Sequence, residues 1–186
     1  MNVKETIEKR RSYRSLDPVD ITDELIEDLA ESAKLAPSCF NNQPWNYVFV
    51  HDEKKLEEVF NTLSSGNEWA KNASMVIGVF AKKEDDCNIK GREYYLFDTG
   101  LATSMLMLRA RELGLVAHAI AGYSESKAKD VMSIPEEYRL ITLVILGKHS
   151  EEIKDILSKK QAKDEKQRPP REDFSEFAYH NEFNNI

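Results

Sequence analysis

Lys9-Arg10-Arg11-Ser12-Tyr13-Arg14 places four cations and a serine hydroxyl within six residues of a chain whose formal net charge is -7. Arginine carries a rigid fork of N–H donors that matches phosphate or carboxylate, so two or three guanidiniums with a hydroxyl can hold a phosphomonoester dianion. The same run also reads as a solvated cluster that complements the C-terminus of a first helix. What the rest of the chain folds into decides between them.

At 186 residues, 41% hydrophobic and 32% charged, the chain is long enough for one globular domain with a sizeable core. No stretch has the apolar length of a membrane span, and the basic start lacks the apolar run of a signal peptide, so no membrane partner and a cytoplasmic location are expected. Cys39 and Cys87 are too few for a disulfide framework and show no zinc-site spacing, so both are expected reduced and no metal is assigned. The acidic balance argues against a nucleic-acid surface, which would need a broad basic face. One short cluster reads as a pocket wall.

Outward from the cluster, Asn2 and Glu5 have the spacing of a helix cap, with Val3 and Ile7 expected to face the core. Asp17 and Pro18 turn the chain, Thr22 caps a second helix, and Ile21, Leu25, Ile26, Leu29, Ala33 and Ala36 keep near-helical spacing up to Pro37. Residues 47–50 and 75–81 read as strands, and 52–63 as an amphipathic helix on Leu56, Val59, Phe60 and Leu63. After a short polar excursion over 82–91, residues 94–113 are apolar on most faces and are expected to form the most buried helix, open to close approach by a second subunit. Residues 116–121 form a short strand, 124–132 a small helix, and 140–146 a fourth strand. The fold class is therefore α+β, layered as an α/β domain, with a core over 1–149. From Ser150 onward the polar tail cannot build a core of its own and is either a solvated terminus or, given Phe174, Phe177, Tyr179 and Phe183, an arm that docks.

A second stretch, Ala36-Pro37-Ser38-Cys39-Phe40-Asn41-Asn42-Gln43-Pro44-Trp45, is a loop stiffened by prolines and rich in neutral donors and acceptors, suited to reading a polar heterocycle. Together with Arg10-Arg11-Ser12-Tyr13-Arg14, the motif Pro37-Ser38 to Gln43-Pro44-Trp45 resembles the nitroreductase family of flavin enzymes over nearly the whole chain. The resemblance implies a nitroreductase-like fold, with a central mixed sheet flanked by helices and a 150–186 tail wrapping the partner of a homodimer. It implies that Arg10, Arg11, Ser12 and Arg14 bind the phosphate and ring edge of FMN. Pro37, Ser38, Cys39 and Asn41 would reach the same flavin from the other subunit, Ala121-Gly122 would offer a backbone N–H to the ring, and Lys166 and Arg168 would complete the phosphate site. Asn67 matches a family position near the ring or ribityl chain. Residues 98–114 resemble the family's interface helix.

Departures from the family pattern are Cys39 in place of a small hydroxyl residue, Ala121 in place of a longer side chain, and Lys148 after Gly147. The short 82–91 segment lacks the helical excursion of larger relatives and implies an open site. Because a flavin performs hydride and electron transfer itself, no catalytic residue is required, and the four histidines form no ligand or triad set. Arg10 and Arg14 are candidates either for a cation near the pyrimidine end or for phosphate binding alone. The expected activity is hydride uptake from NADH or NADPH and transfer to small acceptors such as nitroaromatics or quinones. The alternatives are a protein that holds FMN without turnover, or a specialised relative such as a reductive dehalogenase.

Overall fold

A single long strand orders the sheet, because its alternating side chains have an apolar layer to fill on either face. In the computed structural model, which describes residues 2–183, this strand is β7 (Arg139–His149). It pairs with β1 (Leu16–Asp17), β3 (Met75–Ala81) and β6 (Leu115–Ile120), and β3 pairs in turn with β2 (Trp45–Val50). All four pairings are antiparallel. The sheet is thus antiparallel among the described residues rather than mixed, since alternation of apolar residues does not encode strand direction.

Period-two alternation divides the core. Ile77, Val79, Val144 and Leu146 face one layer, covered by α2 (Asp23–Lys34) and α4 (Tyr94–Glu112) through Leu29, Ala33, Ala102, Leu106 and Ala110. Val76, Leu143 and Ile145 face the other, covered by α3 (Glu53–Phe60), α5 (Glu125–Met132) and the fully buried Trp69. The first layer is also tied by charge, where Arg109 of α4 donates from Nε and Nη2 to the carboxylate of Asp28 on α2 at 2.7–3.0 Å.

The helix signals hold at their starts. Asn2 and Glu5 form a reciprocal capping box on α1 (Val3–Lys9), and Thr22 and Asp52 accept from Leu25 N and Lys55 N at the heads of α2 and α3. Three expectations are corrected. Val3 and Ile7 are 74% and 52% exposed, and Thr6 is the buried residue of α1. Asp17, read with Pro18 as turning the chain, lies instead in a two-residue strand with Leu16. Helix α4 buries only one stripe, Tyr95, Asp98, Thr99, Ala102, Thr103, Leu106 and Ala110, leaving Leu96, Phe97 and Met105 exposed. Between β3 and α4 the chain makes a small hairpin, β4 (Asn88–Ile89) with β5 (Arg92–Glu93). No helix is long and apolar enough to cross a membrane among the described residues.

The tail carries α6 (Lys159–Lys166), with a capping box from Ser158 and Gln161, and a single turn α7 (Phe174–Phe177). Its aromatics pair mostly with one another, Phe174 with Phe177 and Tyr179 with Phe183, and stay exposed. Contact with the body of the protein comes instead from Ser150, Lys154 and Leu157, from α6 and from the residues that follow it.

His118 of β6 is buried and stacks on Trp69, with ring centroids 4.7 Å apart. Its Nδ1 lies 3.1 Å from the Tyr13 carbonyl, which can only accept, so Nδ1 carries the proton. Burial, reinforced by the charges of Arg14 and Arg10, pushes the imidazole pKa down to about 4 against the opposing pull of the Tyr13 carbonyl. The ring is neutral in the fold but protonates in the unfolded chain near its ordinary value, so stability is lost as pH falls from about 6.5 to about 4. At about 1.4 kcal/mol per unit the loss is roughly 3 kcal/mol. In urea titrations at several pH values, His118→Asn is expected to show a shallower decline than the parent by roughly that amount. Parallel declines would show that His118 does not titrate on unfolding.

Candidate functional site

The segment that leaves α1 runs extended from Arg10 to Ser15 before entering β1. It has no strand partner over this length among the described residues, and beside the His118–Tyr13 bond the tail supplies most of its hydrogen bonds. Glu165 of α6 is 7% exposed, and its carboxylate accepts from Arg14 N at 2.8 Å and Ser15 N at 3.3 Å. Arg11 Nη2 donates to the carbonyls of Asp164 and Glu165, and the Arg11 guanidinium lies over the Tyr13 ring at 4.5 Å. In return, Arg168 Nη2 donates to the carbonyls of Glu8 and Arg10. Two arginines, one from each segment, therefore spend donors on holding the two segments together.

These contacts enclose a concavity of about 120 Å³ lined by Arg10, Arg11, Ser12, Arg14, Asp164, Arg168, Pro169 and Arg171. Its size is below the roughly 300–1,000 Å³ of a whole small-molecule pocket and suits an anionic group rather than a ring system. None of the five arginines forms an ion pair among the described residues. Among the described residues the Arg10 guanidinium donates only to Ser12 Oγ, at 3.3 Å. Partial burial, then the charges of Arg168 and Arg171, pull its pKa below the ordinary arginine value. A cation disfavoured by neighbouring cations is stabilised by an anion bound between them, which is the fit expected of a phosphate site.

Lys166 is exposed at the end of α6 and is not among the lining residues, whereas Arg171, three residues past Arg168, is. The sequence offered one signal for Arg171, its place directly after the Pro169-Pro170 pair. Glu165 gave none, being one acid among many in a polar segment.

The Pro37–Asn41 loop lies elsewhere, against the start of α4. Cys39 N donates to Asp98 Oδ2 at 2.6 Å, Gln43 N donates to Ser38 Oγ at 3.0 Å, and Phe40, Asn41 and Gln43 all adopt positive φ. Phe40 is 87% exposed. Within one chain this loop does not line the arginine concavity. It carries a further correction, because Cys39 is joined to Cys87 in a disulfide, with Cα atoms 6.2 Å apart. The two cysteines, expected reduced, are 48 residues apart in sequence and are brought together by the excursion that precedes α4.

Ala121 is exposed in a separate hollow beside Tyr95, Tyr123 and Arg139. The Gly122 carbonyl accepts from Ser64 N and Asn67 Nδ2, both at 2.9 Å, and a Cβ at this position would push the Asn67 amide aside. Asn67 Oδ1 accepts from Trp69 Nε1 at 3.3 Å, so Asn67 ties the turn to the core beneath His118. The Gly122 N–H donates to no residue among those described. Arg14 reaches over the same Trp69, its guanidinium 5.9 Å from the ring centroid. Trp69 thus connects the arginine segment and the 121–122 turn.

Known proteins resemble this chain in sequence and in fold. The Nitroreductase family model matches residues 7–71 and 55–148, more than half of the chain. A protein of Archaeoglobus fulgidus named "Putative NADH dehydrogenase/NAD(P)H nitroreductase" is 31% identical over 144 residues, covering 74% of this chain and 80% of its own. Among solved structures, one described as an oxidoreductase containing FMN is 26% identical, spans 100% of this chain and 95% of its own, and superposes with a TM-score of 0.86. A nitroreductase family protein from Clostridium novyi NT is 28% identical over 81% of this chain and 87% of its own, with a TM-score of 0.76. On sequence and fold together, the chain belongs to the nitroreductase family.

Proposed function

We propose that the protein is an FMN-dependent oxidoreductase that takes hydride from NADH or NADPH and passes electrons to nitroaromatics, quinones or related small acceptors. The observation that carries this reading is the concavity walled by five arginines with no ion-paired acid. Family membership and the FMN named for a structural neighbour support it. FMN supplies the hydride and electron chemistry when bound. The chain's task is to bind and orient. Arg10, Arg14 and Arg171 present donors to the phosphate, with Ser12 Oγ beside them, while Arg11 and Arg168 hold the wall in place. The unengaged Gly122 N–H is a donor for the ring edge. With the phosphate clamped and no acid or base required, one exposed ring face serves reductant and acceptor in turn.

The proposed assembly is a homodimer with composite sites, each joining Arg10–Arg14 of one chain to the Pro37–Asn41 loop of the other. Support comes from the exposed Leu96, Phe97 and Met105 on α4, with Val3, Ile7, Leu35 and Phe40 as further exposed apolar side chains. Ser38, Asn41 and the backbone at Cys39 are the groups this loop has to offer. The aromatics of the tail would lie on the partner, in a protein placed in the cytoplasm.

FMN is expected to copurify at about one per subunit, and Arg14→Glu to abolish its retention, since each lost charge-assisted bond costs roughly 1.5–3 kcal/mol. A visible spectrum and a flavin titration check both. Colourless protein that also refuses added FMN would refute the cofactor, and unchanged affinity in Arg14→Glu would remove that residue from the site.

Initial rates at several fixed acceptor concentrations are expected to give parallel double-reciprocal lines, because one face is shared. Intersecting lines would indicate a ternary complex and a second binding region. Nicotinamide that fails to bleach the bound flavin would leave a binding protein without turnover.

For the composite site, Arg14→Glu chains and chains with a disrupted Asn41 loop are to be unfolded, mixed and refolded. A mixed dimer then holds one site with both lesions and one with neither, so roughly a quarter of all sites recover. No recovery, with mixed dimers shown to be present, would place each site within one chain.

A further inference from the structure

The chain's two cysteines meet beside two carboxylates that have no counter-ion. Asp86 Oδ1 accepts from Cys87 N at 2.7 Å and Asn42 Nδ2 at 3.2 Å, while Asp86 Oδ2 is buried and meets no N–H donor among the described residues, the Asp98 carboxyl being the side chain beside it. Asp98 is 2% exposed and accepts from Cys39 N. Neither acid forms an ion pair among the described residues. The Asp86 and Asp98 side chains lie within reach of each other, with no cation paired to either among the described residues. An orphaned carboxylate oxygen inside a protein costs free energy unless something occupies it.

One ligand atom each from Cys39, Asp86 and Cys87 lies within 4.8 Å of the others. Tetrahedral zinc, with bonds of about 2.3 Å to sulfur and about 2.0–2.2 Å to oxygen, brings its ligands to within about 4 Å of one another. The group is already near that size, and once the S–S bond opens the two sulfurs have only to part to about 4 Å to share one ion.

We propose that the reduced chain binds a thiophilic divalent cation, zinc, on the thiolates of Cys39 and Cys87 and the carboxylate of Asp86, and that the Cys39–Cys87 disulfide is the metal-free, oxidised form of the same site. The interconversion balances. An external dithiol delivers two electrons and two protons to the S–S bond and itself becomes a disulfide, and zinc then displaces the two thiol protons. Asp98 is a positioning residue, holding Cys39 through its backbone N–H as outer-shell carboxylates hold metal ligands. Either state pins the Pro37–Asn41 loop to the segment before α4, so the site is a structural clip and stands whether or not the flavin reading does. The sequence hid it, because its two thiol ligands are 48 residues apart and fit no zinc-finger spacing.

The test uses the protein as purified, in oxidised and in dithiothreitol-reduced, anaerobically desalted form, dialysed against zinc chloride. Bound zinc is counted by atomic emission and free thiols by alkylation, neither of which depends on flavin. The expected result is one zinc per subunit in the reduced protein with both thiols protected, none in the oxidised protein or in reduced Cys87→Ser, and affinity roughly 10–100-fold weaker in Asp98→Asn. Reduced protein that takes up no zinc, or Cys87→Ser that binds as well as the parent, would overturn the proposal. The oxidised parent shares every other surface group and so controls for adventitious zinc.

Discussion

The buried carboxylate of Glu165 is the contact on which the arginine segment depends. A carboxylate is costly to bury without donors, and Glu165 meets two backbone N–H groups, those of Arg14 and Ser15. His149 Nε2 lies 3.8 Å away, beyond hydrogen-bond reach, and burial lowers its pKa against the opposing charge of Glu165, so the backbone donors do the holding. The tail is too polar to order itself. Beside the contacts of Lys154, Leu157 and Gln161, it is fixed by one buried acid and by arginine bonds to carbonyls running in both directions, and by being fixed it completes the wall that the N-terminal segment begins. Core, arm and site are thus one mechanical unit.

The two faces of α4 carry the second constraint. Its buried stripe seals one layer of the core, and Asp98 on that stripe also anchors the 37–42 loop. Its opposite face presents Leu96, Phe97 and Met105 to the outside. A helix that is apolar nearly all round satisfies one half of its surface within the chain, and the exposed half is what the proposed dimer covers. In that arrangement the loop and the arginine segment, which share no pocket within one chain, become complementary halves.

Much of this was legible in the residues themselves. Caps at Asn2, Thr22 and Asp52, the 3.6-residue spacing of α2, and the apolar run of β3 are local signals, and the elements formed where those signals lie. The grouping of Arg10, Arg11, Ser12 and Arg14 with Arg168 followed from family motifs. What failed to show is non-local. Strand β1 is two residues long and exists through its pairing with β7. Val3 and Ile7 obey helical spacing, yet the single chain packs nothing over them. Glu165 and the Cys39–Cys87 pair owe their roles to segments 48 or more residues away, which no window along the chain can contain.

If the arginine concavity completed by the arm is what binds the cofactor, the phosphate must supply most of the affinity. The direct measurement compares dissociation constants of the flavin-stripped protein for FMN and for riboflavin, which shares the ring and ribityl chain but lacks the phosphate. Two charge-assisted bonds of at least roughly 1.5 kcal/mol each predict FMN binding about a hundredfold tighter or more, with the gap narrowing as salt is added. Equal affinities for the two would mean that the arginine concavity serves something other than the cofactor.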